Sequence, residues 1–324
     1  MSEQRERAAL VECAICGDSE TGDVFRDPTG PARDYPLVRC EKCGLVFQKY
    51  GRSKQDLDAA QAAAYARPTR RFHGPFEWLV RGFRMARVRL CERLLDGPGR
   101  VLDVGCGRGL FLQLMGRRGH EVRGTELSES TAANAYPDVT VDVGEFRPGR
   151  YPPASFDVIS IWHVLEHDQQ PAAALAAARE SLVPGGALVL AVPNYASVQA
   201  RFGGEDWFHL DLPRHVFQFT PQTLTRLLRD AGFEIETCRT GQWEMDPFGL
   251  VQTVLNRAGL RSNSLYDSLR SNRDVRRDLS QAYRLAMLAF LPIGVAMAIP
   301  LSLAFRLAGR AGTLIVVARK PAAA

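Results

Sequence analysis

Apolar runs punctuated by glycine and proline divide the middle of the chain into short strands and helices. Val101-Leu102-Asp103-Val104 is a brief apolar run that breaks into glycines, the pattern of a buried strand. Leu110-Phe111-Leu112-Gln113-Leu114-Met115 predicts a helix directly after it, and Glu121–Glu126 a second strand. Pro171–Leu182 is a well-marked helix, with Asp168 near its start, Pro171 in its first turn and glycines beyond its end. Pro221–Asp230 is another. From Arg100 to Arg239 strands and helices alternate, which predicts a parallel sheet with helices on both faces. Upstream, Asp56–Ala66 has helical composition, Pro68 breaks it, and Phe76–Leu95 predicts a second helix that ends at Gly97-Pro98-Gly99. The arginines of that helix, Arg81, Arg84, Arg87, Arg89 and Arg93, are expected on a solvated face.

The end of the chain breaks this rhythm. Leu285–Phe305 carries no charge between Arg284 and Arg306, a length that could cross a bilayer. Pro292 and Pro300 would break a straight helix there. Gly312–Lys320 then reads as a last strand. If it returns to the sheet the chain left, a single span would leave it on the wrong side of the membrane. The apolar stretch is therefore expected as a re-entrant or interfacial hairpin, or as a buried helical pair. Arg257, Arg261, Arg270, Arg273, Arg276, Arg277 and Arg284 outweigh Asp267, Asp274 and Asp278 just before it, which suits an anionic lipid surface. Peripheral membrane contact through residues 285–305 is the favoured expectation.

The chemistry concentrates at Asp103-x-Gly105-x-Gly107-x-Gly109. Glycines let the backbone take positive φ and let a ligand approach the main chain. A helix N-terminus behind them offers free N–H groups. Glu126 ends the next strand, about twenty residues on, where a carboxylate can accept hydrogen bonds from ribose hydroxyls. A dinucleotide would place a pyrophosphate dianion on this loop, and Asp103 opposes that. The lysine of a phosphate-cradling loop is also missing. S-adenosylmethionine fits better, with a ribose for Glu126 and an ammonium and a sulfonium for an acidic pocket. An NAD oxidoreductase is the poorer reading.

This pattern resembles the class I S-adenosylmethionine-dependent methyltransferases. Ser155–Ile159 is similar to their fourth strand, and His163-Val164-Leu165-Glu166-His167 to the segment after it. Leu182-Val183-Pro184-Gly185-Gly186 with Ala187–Asn194 is similar to the helix end and fifth strand. Ala231–Ile235 resembles the entry to the sixth strand, and Gly312–Lys320 the seventh. The resemblance implies an α/β, Rossmann-like, doubly wound and mostly parallel seven-stranded sheet. It implies that the loop backbone and Asp103 hold the methionine part, and that Val143, Gly144 and Glu145 contact the adenine.

Cysteines add a second module. Cys13-Ala14-Ile15-Cys16-Gly17 and Cys40-Glu41-Lys42-Cys43-Gly44 are two C-x-x-C-Gly knuckles, the spacing of a tetrahedral four-cysteine zinc site. Four thiolates leave no open position, so this Zn2+ is expected to be structural. Cys91, Cys106 and Cys238 are expected to be small packing residues. The division that results is a zinc ribbon over 1–52, a helical linker over 53–98 and a core over 99–240. A partly hydrophobic helical insertion over 241–310 and a last strand with tail over 311–324 complete it.

The 324 residues carry a net charge of +5, too mild to indicate nucleic acid. Met1-Ser2-Glu3-Gln4-Arg5-Glu6-Arg7 lacks an apolar core, so no secretory signal is expected. A cytoplasmic place follows, peripheral on the membrane's inner face. Methyl transfer needs an aligned nucleophile and a base. Candidates are His163, Glu166, His167, His209, Asp211 and His215, with His163 and His215 preferred. Trp207–His215 can form a wall of the acceptor site. No Asn-Pro-Pro-aromatic motif follows the fourth strand, which weighs against an exocyclic base amine as acceptor. The leading reading is methyl transfer to a small-molecule, sugar, glycan or lipid-linked acceptor. The zinc module followed by this core resembles bacterial methyltransferases of sugar and surface-polysaccharide pathways. RNA-base methylation with the ribbon gripping RNA, and a membrane scaffold that binds the cofactor without turnover, stay open as alternatives.

Overall fold

The computed structural model describes residues 12–26, 28–50, 75–259, 263, 265 and 281–322. The expected helix over Asp56–Ala66, the chain start, and the basic residues Arg261, Arg270, Arg273, Arg276 and Arg277 lie outside them.

Eleven strands among the described residues form two sheets. In chain order they are β1 (Thr21–Asp23), β2 (Leu37–Cys40), β3 (Val46–Gln48), β4 (Arg100–Val104), β5 (Glu121–Glu126) and β6 (Thr140–Val143). Then come β7 (Phe156–Trp162), β8 (Leu182–Pro193), β9 (Phe217–Gln218), β10 (Glu234–Thr240) and β11 (Thr313–Arg319). The larger sheet has the order β10-β11-β8-β7-β4-β5-β6. Its strands run parallel except β11, which is antiparallel to both β8 and β10. This is the doubly wound, seven-stranded α/β sheet expected from the sequence, with the last strand inserted second from the edge. Its centre is buried on both faces, which is why β4, β7 and β8 read as near-continuous apolar runs: Leu102, Ile159, Ile161, Leu188 and Leu190 are all fully buried. Burial of such side chains is worth about 1.5–3 kcal/mol each against leaving them exposed.

The smaller sheet holds a surprise. Its order is β1-β2-β3-β9, so its fourth strand comes from the far side of the core, beyond β8. Val46 and Phe47 pair with Gln218 and Phe217. Cys13, Cys40, Leu45 and Phe47 share one hydrophobic cluster with Leu165, Leu190, Phe217 and Phe219. The amino-terminal module is thus continuous with the core rather than appended to it.

Three expectations are corrected. The helix Pro75–Glu92 does not turn all its arginines to solvent. Arg87 is buried, with its guanidinium 4.6 Å above the Trp162 ring, and both Arg87 and Arg84 are ion-paired to Glu244 at 2.6 and 2.5 Å. An apolar periodicity cannot reveal a partner 157 positions away. The apolar stretch 285–305 is neither a hairpin nor a buried pair. It lies in one continuous helix, Gln281–Leu307, with both prolines inside it. Each proline removes one N–H from the helical ladder without ending the helix. One face packs Leu291, Val295 and Ala298 against Leu250, Val251 and Leu255 of the helix Asp246–Arg257, and most of the rest is exposed. Finally, Cys238 is an exposed residue of the edge strand β10, not a packing residue, whereas Cys91 is buried as expected.

Glu244 is the joint between the helix Pro75–Glu92 and the crevice end of the sheet. Burial would raise its carboxyl, but Arg87 and Arg84 outweigh burial and hold it down to about 2. The stability it contributes is present above the ordinary carboxylate range and is lost as pH falls through about 2. Glu244→Ala leaves the buried Arg87 guanidinium and the half-buried Arg84 without their partner, so a loss of about 3–5 kcal/mol is expected in urea unfolding. A loss below about 1 kcal/mol would mean that solvent already screens the pair.

Candidate functional site

The site lies at the C-terminal ends of the parallel strands, at the seam between β4 and β7. The chain leaves β4 toward β5 and leaves β7 toward β8, so the two connections part and open a crevice there. On the β4 side is the glycine loop. Gly105, Gly107 and Gly109 all have positive φ, at 69°, 58° and 78°. A Cβ on Gly105 would collide with Cγ2 of Val164 from the β7 side, so this residue lets the two loops touch. A Cβ on Gly107 would meet nothing, so backbone is open to a ligand at that point.

Glu126, at the end of β5, is tied into the loop. Its carboxylate accepts hydrogen bonds from the N–H groups of Gly107 at 3.0 Å, Leu127 at 2.8 Å and Ser128 at 3.2 Å. Three backbone donors fix its orientation beside the loop. Leu127 and Val143 are large apolar side chains left exposed next to it. Gly144, at φ 123°, donates its N–H to the Glu126 carbonyl, and Glu145 is turned outward in an ion pair with Arg147.

Asp103 is placed differently from Glu126. It is buried beneath the loop, where Ser160 Oγ donates to it at 2.6 Å from β7. Burial raises its carboxyl to about 6, against the opposing pull of the Ser160 hydroxyl, Arg87 and Arg84.

On the β7 side, His163 takes the unusual φ of 56°. Its Nε2–H donates to Gln242 Oε1 at 2.8 Å, and its Nδ1 faces Glu166 at 3.6 Å. Glu166 is fully buried. Burial pushes its carboxyl up, but His163, His167 and His215 outweigh that and bring it below its ordinary value. His215 Nδ1 donates to the His209 carbonyl at 2.7 Å, and its ring meets that of His167 edge-on at 4.6 Å. Burial pushes His215 well below the ordinary imidazole range, so it is neutral at pH 7. The structure therefore gathers His163, Glu166, His167 and His215 in one place.

His209 is not with them. It is buried among Trp207, Phe208 and Gly249, and burial lowers its imidazole to about 3. Asp211 is ion-paired to Arg214 at 2.5 Å. Asn194 has a bracing role: it donates to the Ala311 carbonyl and accepts from the Ala196 N–H.

The four cysteines of the knuckles converge. Cys13 and Cys43 sulfurs are 3.3 Å apart, Cys16 and Cys40 sulfurs 3.5 Å, and all four lie within 4.8 Å of one another without a disulfide. A zinc tetrahedron with bonds of about 2.3 Å needs separations of about 3.8 Å, so the donor set fits the ion.

Residues that no short pattern marks complete the site. Gln48, buried at the end of β3, donates to the carbonyls of Pro213 and His215 at 2.8 and 2.9 Å. Gln242 and Glu244 hold His163 and the arginines. Of all these, only His163-x-x-Glu166-His167 has a spacing that a sequence could advertise.

Residues 80–237 match the family model described as a methyltransferase domain. A ubiquinone biosynthesis O-methyltransferase from an Azoarcus species is 34% identical over 152 residues, covering 42% of this chain and 64% of that protein. The chain thus spans just under two thirds of that relative's length. A protein of the same name from Thiobacillus denitrificans is 28% identical over 198 residues, covering 56% of this chain and 85% of that one. A solved S-adenosylmethionine-dependent methyltransferase from Archaeoglobus fulgidus, 19% identical, covers 82% of this chain and 100% of its own, with a TM-score of 0.49.

The contact between the two loops is open to test. Gly105→Ala forces positive φ on a residue with a Cβ and drives that atom into Val164. A loss of about 3 kcal/mol is expected in chemical denaturation. Gly107→Ala meets strain without the collision, so its loss is expected to be smaller; equal losses would discount the Val164 contact.

Proposed function

We propose, on the premise that residues 80–237 are a class I S-adenosylmethionine-dependent methyltransferase domain, that this chain methylates a small-molecule acceptor carried on or near a lipid surface, such as a sugar or a lipid-linked precursor. The observation that carries the reading is the Gly107–Glu126 hydrogen bond at the β4–β7 seam, which holds a carboxylate and an open backbone side by side.

When bound, the cofactor supplies a methyl group already activated on a sulfonium. The chain's own residues then have three tasks. Gly105, Gly107 and Gly109 present backbone to the methionine part, with the ionised Asp103 supplying the charge that favours its ammonium. Glu126 takes the ribose, and the exposed Leu127 and Val143 offer apolar cover to the adenine beside Gly144 and Glu145. His163 and His215 are the proton acceptors. Gln242 fixes the His163 tautomer by accepting from Nε2, so Nδ1 is left as the basic atom. His215, neutral by burial, is held by the His209 carbonyl so that Nε2 is its basic atom.

Cys13, Cys16, Cys40 and Cys43 hold a structural zinc in this reading, and its contribution is to fix β2 and β3. In this reading the chain divides into a zinc ribbon over 1–52, a helical linker over 53–98, a core over 99–240, an insertion over 241–310 and a last strand with tail over 311–324. The insertion helix Gln281–Leu307 is the one described helix long and apolar enough to cross a membrane. It exposes Ile293, Met297, Ile299, Leu301, Leu303 and Leu307. Lying on an anionic inner membrane face covers them; the helix does not cross, because β10 and β11 hold both ends of the insertion in one sheet.

Two measurements test the proposal. In calorimetric titration S-adenosylhomocysteine binds, and its affinity falls as pH drops through about 6, because protonating Asp103 removes the charge that attracts the ligand's ammonium. Asp103→Asn is expected to bind weakly and without that step; absent binding, or an unchanged step in the variant, would sink the cofactor assignment. Incubation with methyl-labelled cofactor and a cell extract is expected to label the lipid or sugar fraction, and the detergent-free protein to sediment with anionic vesicles. Label confined to RNA or protein would overturn the acceptor, and protein left in the supernatant would overturn the membrane contact.

A further inference from the structure

Glu166 presents an anomaly that methyl transfer does not explain. It is fully buried, yet neither carboxylate oxygen has a hydrogen-bond donor among the described residues. The nearest basic atom is His163 Nδ1, at 3.6 Å, beyond hydrogen-bond distance, while its Nε2–H is committed to Gln242. A buried carboxylate whose neighbouring imidazoles favour it without hydrogen-bonding to it still lacks a direct partner, and a protein usually answers that with a proton, a cation or a metal.

The two histidines beside it are arranged as ligands are. His167 Nδ1 donates to the Arg214 carbonyl at 3.0 Å, and His215 Nδ1 donates to the His209 carbonyl at 2.7 Å. Both rings are therefore fixed in the tautomer whose Nε2 bears the lone pair. A backbone carbonyl on the far nitrogen is the usual device that orients a metal-bound imidazole. One ligand atom from each of Glu166, His167 and His215 lies within 4.8 Å of the others. Asp211, tied to Arg214, adds negative charge 3.6 Å from His215 Nε2.

We propose that Glu166, His167 and His215 bind a single divalent transition-metal ion, separate from the four-cysteine cluster. Two imidazoles and one carboxylate suit zinc, cobalt, nickel or iron and not magnesium or calcium, which take oxygen. Bonds of about 2 Å require the three groups to close inward by roughly an ångström, a side-chain adjustment. Three protein ligands leave a coordination position open, the arrangement of a reactive rather than a structural site. The cluster begins four residues beyond β7, at the same end of the sheet as the glycine loop. In the loaded chain His215 Nε2 is taken by the ion, so His163 is the proton acceptor that remains for methyl transfer; none of this rests on which acceptor is methylated.

The test uses the full chain, purified with its cysteine site loaded and its metal content measured. Titration with Co2+ is expected to add one equivalent per chain, with visible ligand-field bands but without the near-ultraviolet thiolate charge-transfer band that a cysteine site gives. Glu166→Gln and His215→Gln are each expected to weaken that equivalent at least tenfold while the cysteine-bound metal stays at one per chain. His167→Gln, at the more exposed edge of the cluster, gives the same readout if a buried variant fails to fold. Wild-type protein that takes up no metal beyond the cysteine site, or Glu166→Gln that retains the added equivalent, overturns the proposal. Either failure leaves the binding of S-adenosylhomocysteine untouched, so the two readings fail separately.

Discussion

The seam between β4 and β7 is the constraint on which the rest depends. Parallel strands need crossover connections, and these are right-handed. Going from β4 to β5 the chain moves one way along the sheet; going from β7 to β8 it moves the other. The covering helices therefore fall on opposite faces, and their connections part to leave a crevice at the C-terminal end of the seam. Polar groups that would be costly elsewhere collect there because backbone amides and neighbouring side chains are aimed at them. Asp103 illustrates the cost. With its carboxyl at about 6 against an ordinary 3.8, keeping it ionised at neutral pH destabilises the fold by about 3 kcal/mol. A cationic ligand offsets that term, so the site is built for an occupant.

The amino-terminal module matters to this seam through one buried side chain. Gln48 holds the carbonyls of Pro213 and His215, and the β3–β9 pairing fixes the same segment. The four-cysteine cluster lies at the other end of β2 and β3, in the same hydrophobic cluster as Phe217. Loss of the cluster would thus reach the crevice without any cysteine touching a ligand. A module whose four thiolates suit a structural ion is, by its packing, one wall of the site.

Much of this was legible in the sequence where the signal is local. The glycine loop, Glu126 and the two cysteine knuckles each lie within a few residues of the strand or turn that explains them, so spacing alone identified them. The parallel sheet followed from alternation, and its seven strands from the family resemblance. What the sequence concealed is long-range. Arg87 and Glu244 are 157 positions apart, and Gln48 and His215 167. An arginine on an amphipathic helix looks the same whether it meets water or a buried glutamate. The insertion helix was misjudged for another reason. Proline propensity is a local penalty, and packing against the helix Asp246–Arg257 overrides it. Asp103 had the right chemistry but an unexpected depth, because a period-two strand does not say which of its polar residues meets a hydroxyl across the next strand.

The position of β11 connects the exposed helix to the crevice. Thr240 pairs with Leu314, so the insertion leaves the sheet and returns to it at nearly the same point. Because β11 is antiparallel to β8, that point is at the C-terminal ends of the parallel strands, the end that carries the glycine loop. Gln242, just inside the insertion, bonds His163, and Arg306 near the helix end packs against Gly241. The end of the apolar helix and the candidate base thus both meet the chain at Gly241-Gln242. A helix that merely stabilised the fold would gain most by burying its apolar surface, yet this one leaves Ile293, Met297 and Leu307 more than half exposed, 61%, 63% and 81%. An apolar surface of that kind costs solubility unless something covers it. In the proposed reading, a helix mounted at the mouth of the site would give an acceptor held in a lipid surface a route to the crevice in which it need not enter bulk water.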